Sequence, residues 1–139
     1  MNQIILASHG ELAKGMLQTV SMLIGETKNI YAFGSYREEQ SIAVKVRAQL
    51  HMFDSADDVY VLTDIFGGSV NNEILGILSE FPNVTLLTGM NLMLVIGIAS
   101  QTNKIAQDTL ATIVSESQNG VVNCNKLIEE KMGMEMDDL

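Results

Sequence analysis

The sequence predicts an α/β fold: a doubly wound, mainly parallel sheet with strand order 2-1-3-4. Two observations carry this expectation. Short apolar runs alternate with amphipathic stretches of helical period along the whole chain. The runs are nearly continuous in their hydrophobicity, as in strands covered by helices on both faces. The chain of 139 residues fits one domain, 1–139, with the tail from about residue 125 set apart by its Met, Glu and Asp content.

The elements follow in order. Ile4–Ala7 reads as the first strand. Leu12, Ala13, Met16, Leu17, Val20, Leu23 and Ile24 then repeat at helical spacing, which predicts a helix over about 11–24 closed by Gly25. Ile30–Phe33 is the second strand, with Gly34-Ser35 as its turn, and Ile42, Val46, Leu50 and Phe53 mark one face of a second helix. Val59–Thr63 is the third strand, and Ser69 is suited to cap a helix running to about Glu80. Val84–Thr88 is the fourth strand, and Gly89-Met90-Asn91 opens the next helix. A break near Thr102-Asn103 precedes a helix carrying Ile105, Leu110, Ile113 and Val114. Asn119-Gly120 is a turn, Val121–Asn123 is read as a short fifth strand, and the tail beyond it is expected to fray.

Composition excludes several function classes. The net charge of −9 opposes binding to nucleic acid, whose phosphates are held by clustered Lys and Arg. Aromatic content of 5% with no Trp leaves little for base stacking. No apolar run approaches the ~20 residues that span a bilayer, and the N-terminus lacks the pattern of a secretion signal. A cytoplasmic location is therefore expected. Cys124 is the sole cysteine, so no disulfide forms within the chain, and it is read as a small buried residue near the last strand. His51 reads as a half-exposed helix position. His9, His51 and Cys124 have no metal-ligand spacing, and nucleotide-binding glycine motifs are absent, so neither a metal nor a cofactor is expected.

In strand order 2-1-3-4, strands one and three are neighbours, and the crevice at their C-terminal ends is the topological switch point where ligands bind. Ser8-His9-Gly10 follows strand one, and Asp64 follows strand three ahead of Phe66-Gly67-Gly68-Ser69. Neighbouring strands lie about 4.8 Å apart, so the His9 and Asp64 side chains can meet. A carboxylate accepting one imidazole N–H fixes the tautomer and frees the other nitrogen to attack. Gly67, Gly68 and Ser69 can present backbone N–H groups and a hydroxyl to an anion. Each feature alone has an ordinary structural reading. Together they suit transfer of a phosphoryl group to and from histidine.

Four segments extend this reading. Ile4-Ile5-Leu6-Ala7-Ser8-His9-Gly10, with Ala13 and Gly15, resembles the start of the mannose-family enzyme IIA domain of the phosphoenolpyruvate-dependent sugar phosphotransferase system. Met22–Glu26, Thr63–Asn72 and Gly89–Leu94 are similar to further blocks of that family, so that the resemblance spans about residues 2–124. It implies that His9 is the phosphorylated histidine, that Asp64 hydrogen-bonds it and that Ser69 lies beside the phosphoryl group. It also implies a donor, the histidine-containing phosphocarrier protein HPr, and an acceptor, the cognate IIB subunit, which serves a membrane IIC/IID complex. Members are homodimers in which a C-terminal strand pairs with the partner's sheet; here that strand would be about 121–124. Val70 and Met93 stand where the family usually carries proline.

Three other readings of the same residues remain. Ser69, His9 and Asp64 could form a hydrolase triad, although no G-x-S-x-G elbow is present. Asp64 could be the phosphorylated residue of a receiver-like module, although the acidic pair such modules need after strand one is replaced by Ser8-His9-Gly10. The chain could also be an interaction domain without chemistry.

Overall fold

A computed structural model describes residues 1–137. Its four strands are β1 (Asn2–His9), β2 (Ile30–Ser35), β3 (Asp58–Thr63) and β4 (Val84–Thr88). They form one parallel sheet in the order β2-β1-β3-β4. The helices are α1 (Leu12–Ile24), α2 (Ile42–Met52), α3 (Ser69–Leu75), α4 (Leu92–Ala99), α5 (Gln107–Gln118) and α6 (Cys124–Asp137), with a 3-10 turn at Leu78–Glu80.

Alternation along β1 divides the core between two faces. Ile4 and Leu6 pack with Ala13, Val20, Leu94, Val95, Ile98 and Ile113, which places α1, α4 and α5 on one face. Ile5 and Ala7 pack with Ile42, Val46, Val70 and Ile74, which places α2 and α3 on the other. The first crossover helix thus covers one face and the next two cover the opposite one, as the strand order requires. Both central strands are buried on both sides, which accounts for their near-continuous hydrophobicity.

Several local expectations are corrected. β1 and β2 are longer than their apolar runs: His9 is the last residue of β1, and Gly34 and Ser35 belong to β2 rather than to a turn. Ladder bonds to neighbouring strands, not side-chain hydrophobicity, hold these terminal residues, and His9 pairs in register with Ser35. The helix expected to reach Glu80 stops at Leu75, where Gly76 interrupts it before the 3-10 turn. Val121–Asn123 forms no strand in the single chain, and β4 remains the sheet edge among the described residues. The tail beyond it is helical as α6 instead of frayed. Leu127, Ile128, Met132 and Met134 on α6 are exposed and join neither core. Cys124 is exposed, not buried, because it starts this outlying helix. His51 is exposed on α2 with its ring edge against Phe81 at 5.2 Å.

Val70 and Met93 both fall in the first turn of a helix, α3 and α4 respectively. Proline is tolerated there and not required, so both helices form without it. No described helix is long and apolar enough to cross a membrane.

Candidate functional site

The site is built at the C-terminal ends of β1 and β3, starting with side-chain parity. Ser8 lies on the same face of β1 as Ile4 and Leu6. It is fully buried, and its Oγ accepts the Ala13 N–H at 2.7 Å, satisfying a donor in the first turn of α1. His9 lies on the opposite face with Ile5 and Ala7, so its ring turns toward α3. Gly10 N–H donates to Ser35 O at 2.9 Å and bends the chain away into α1.

Asp64 follows the last residue of β3 and holds His9 through one oxygen. Its Oδ2 accepts the His9 backbone N–H at 2.8 Å and lies 2.6 Å from Nδ1 of the ring. An ionised carboxylate can only accept, so Nδ1 carries a proton and Nε2 of the neutral ring is left with its lone pair. Asp64 Oδ1 accepts the Ile65 N–H at 3.0 Å. Partial burial pushes the Asp64 carboxyl up, but the hydrogen bonds from the His9 backbone, the His9 ring and Ile65, with the charge of the ring when protonated, outweigh it and hold the acid below the usual carboxylate range. The carboxylate is nearly enclosed, with 10% of its side chain exposed, while the imidazole is 51% exposed. The carboxylate is thus shielded and the imidazole open to solvent.

Ser69 completes the arrangement, with Oγ 3.0 Å from His9 Nε2. It does not cap α3 as the sequence suggested. Gly68 occupies the cap position, and Ser69 is the first helical residue, which leaves its hydroxyl free to face the ring. Gly67 has φ of 79°, a left-handed conformation that glycine adopts without strain. Gly68 packs under the imidazole: a Cβ there would lie 3.4 Å from His9 Cε1 and 2.7 Å from Ile65 Cγ2. The Gly68 N–H is already engaged with Ile65 O at 3.2 Å. The first intrahelical bond of α3 runs from Asn72 N to Gly68 O at 3.0 Å, so the Ser69, Val70 and Asn71 N–H groups precede it at the helix start.

All the residues singled out at the switch point, His9, Asp64, Gly67, Gly68 and Ser69, therefore share one site. His51 and Cys124 lie on elements outside it. Sequence reasoning does not single out Thr63, the buried last residue of β3, or Asn71, the buried polar residue on the sheet side of α3; the available signal is a threonine that closes an otherwise apolar strand. Among the described residues no cluster of three or more His, Cys, Asp or Glu could hold a metal ion.

Fold and site together define a doubly wound α/β domain with a carboxylate-held histidine at the sheet's switch point. A family model described as the PTS system fructose IIA component matches residues 3–115, and the chain belongs to this mannose/fructose-type IIA family of the phosphotransferase system. Among its relatives, the fructose-specific EIIA component of Bacillus subtilis (strain 168) is 25% identical over 94% of this chain and 91% of its own length. The mannose-specific EIIAB component of Escherichia coli (strain K12) is 28% identical over 82% of this chain, which spans 36% of that longer protein. Two crystal structures are similar in fold and sequence. A phosphoenolpyruvate-dependent sugar phosphotransferase system permease from Klebsiella pneumoniae has a TM-score of 0.81 at 33% identity, covering 91% of this chain and 93% of its own. The PTS IIA protein associated with a fucose utilization operon of Streptococcus pneumoniae has a TM-score of 0.81 at 31% identity, covering 91% and 96%.

Proposed function

We propose that this chain is a phosphocarrier for sugar uptake that accepts a phosphoryl group on His9 Nε2 from phospho-HPr and passes it to a cognate IIB subunit. The observation that carries this reading is the double hold of Asp64 Oδ2 on His9, which fixes the proton on Nδ1 and leaves Nε2 as the open nucleophile. In the transfer, the Nε2 lone pair forms the N–P bond while the P–N bond to the donor histidine breaks, and the donor ring keeps that electron pair. Asp64 stabilises the positive charge that the His9 ring gains. Ser69 Oγ–H turns from Nε2 to a phosphoryl oxygen, and the unbonded N–H groups at the start of α3, with the Gly67-Gly68 turn, offer further donors to the other oxygens. The reverse steps load IIB.

Membership of the family supports extending the proposal further. Residues 1–139 act as one IIA domain in the cytoplasm, working with a membrane IIC/IID complex, and two copies associate through the segment 121–124. Sedimentation velocity should give a dimer for the intact chain and a monomer for Val122→Asp.

The chain of contacts Asp64–His9–Ser69 also has the order of a hydrolase triad, with 2.6 Å and 3.0 Å links. One experiment separates the readings. Incubation with phosphoenolpyruvate and the general relay proteins should label the protein with an acid-labile, base-stable phosphoryl group, and His9→Ala should abolish it. Labelling that survives His9→Ala overturns the assignment, and covalent capture of Ser69 by a serine-directed phosphonate would favour the hydrolase.

A further inference from the structure

We propose that Thr63 and Asn71, both buried, form with the partly buried Thr88 a positioning device that sets Ser69 against His9 Nε2. The inference deepens the phosphocarrier reading and rests on it for its kinetic consequence, though not for its geometry. Thr63 is the last residue of β3 and is fully buried, and Asn71 on α3 is 3% exposed. Thr63 Oγ1 donates to Asn71 Oδ1 at 2.7 Å and lies 2.9 Å from Oγ1 of Thr88, its register partner on β4. The Thr63 hydroxyl has one proton, and the amide oxygen can only accept it. The Thr88 hydroxyl therefore supplies the proton of the second bond, and the three residues form a directed chain from β4 through β3 to α3.

The surroundings make this choice of residues informative. Ala7, Val61, Val70 and Ile74 build the same layer between the sheet and α3. An apolar pair of similar volume would serve stability there as well or better, because it would bury no polar group. What a hydrogen bond adds is direction. α3 has only seven residues and follows two glycines; Val70 and Ile74 hold it to the sheet by apolar contacts, the exposed Ser41 Oγ–Glu73 Oε1 bond of 2.9 Å ties it to the start of α2, and on the sheet side Asn71 sets its position along the strand. The Asn71 bond fixes that position two residues from Ser69. The Thr63 carbonyl also accepts Met90 N–H at 2.9 Å, and the next residue is Asp64 itself. Thr63 is thus the shared root of both arms that grip the imidazole: Asp64 through the chain, and Ser69 through Asn71.

The test uses the full-length protein with nitrogen-15-labelled histidine. Ser69→Ala defines the Nε2 resonance of a ring that has lost its hydroxyl partner. The paired variant Thr63→Val with Asn71→Leu removes both polar groups and should keep the melting temperature close to that of the parent, yet move the Nε2 resonance toward the Ser69→Ala position. Phosphoryl uptake from phospho-HPr should fall by about tenfold or more, since displacements near 1 Å cost up to about a hundredfold in positioned reactions. Thr63→Ser keeps the hydroxyl and should restore both the resonance and the rate. Thr63→Val alone supplies the same comparison if the paired variant does not fold. A parental Nε2 resonance and rate in the variants lacking the hydroxyl would reduce Thr63 and Asn71 to packing and overturn the proposal. If the parent protein takes up no phosphoryl group, the phosphocarrier reading falls, while the resonance comparison still decides the positioning.

Discussion

A single carboxylate oxygen, Asp64 Oδ2, bonds both the main chain of His9 at 2.8 Å and its ring at 2.6 Å. Backbone and imidazole are therefore oriented by the same atom. A displacement of Asp64 disturbs the strand end and the nucleophile together.

Removing that oxygen should separate catalysis from folding. In Asp64→Ala the Nδ1 proton loses its acceptor, the tautomer is no longer fixed, and the charge gained on phosphorylation has no counter-ion. Phosphoryl uptake should fall on the order of a hundredfold, with far-ultraviolet circular dichroism unchanged. A variant that folds normally and is labelled at the parental rate would contradict the role given to Asp64.

The same contact makes stability depend on pH in a defined direction. The folded state holds the Asp64 acid below its ordinary value of 3.8, so the ionised form favours folding. Its contribution is fully present above that ordinary value and is lost as pH falls through the lower folded-state value. Asp64→Asn preserves an acceptor but cannot ionise. The gap in urea midpoint between the parent and Asp64→Asn should shrink as the pH falls below about 4. A gap that widens on acidification would reverse the sign argued here.

Ser69 is exposed on the first turn of a short helix and makes no capping bond. Ser69→Ala should therefore change stability by no more than about 0.5 kcal/mol. Phosphoryl uptake should nevertheless fall by roughly tenfold, the loss of one donor positioned on the transferring group. Thermal melts and single-turnover labelling on the same preparation would show whether the two effects separate.

Gly34 controls the approach of β2 to the turn after His9. A Cβ at this position would collide with Gly10 O and lie 2.9 Å from both Cε2 and the hydroxyl oxygen of Tyr36. The backbone oxygen cannot give way without moving Gly10, the residue that follows His9. Gly34→Ala should cost about 1–3 kcal/mol in urea unfolding, the range for overpacking, and reduce labelling as well. An unchanged urea midpoint would show that β2 can yield at no cost.

Much of this architecture was legible in the residues themselves. Ile4–Ala7 and Val59–Thr63 announce central strands because both of their faces are buried, and a buried strand has little choice of composition. The spacing of Ala13, Val20 and Gly25 announces α1, with the Gly25 N–H bonding Ser21 O at 3.0 Å as expected of its C-terminal glycine. Element ends were less legible. Ser8, His9, Gly34 and Ser35 join strands through ladder bonds to neighbours distant in sequence, and no local pattern encodes those. Residues 121–137 depart from their sequence pattern in the single chain for a related reason. Val121–Asn123 has strand composition without a strand beside it, and α6 has helical propensity without a core to pack on.

By itself, then, the sequence determined the four strands and the helices between them in their order along the chain, and with the common order 2-1-3-4 it put His9 and Asp64 within reach of each other at one end of the sheet. Periodicity and strand order suffice for that, because they depend on burial alone. Only the tertiary structure decided which face the imidazole takes, that Gly68 rather than Ser69 caps α3, and that Nε2 is the nitrogen left open. Those outcomes turn on distances of about 3 Å between groups 55 and 60 residues apart, and such distances are set by packing and hydrogen-bond direction.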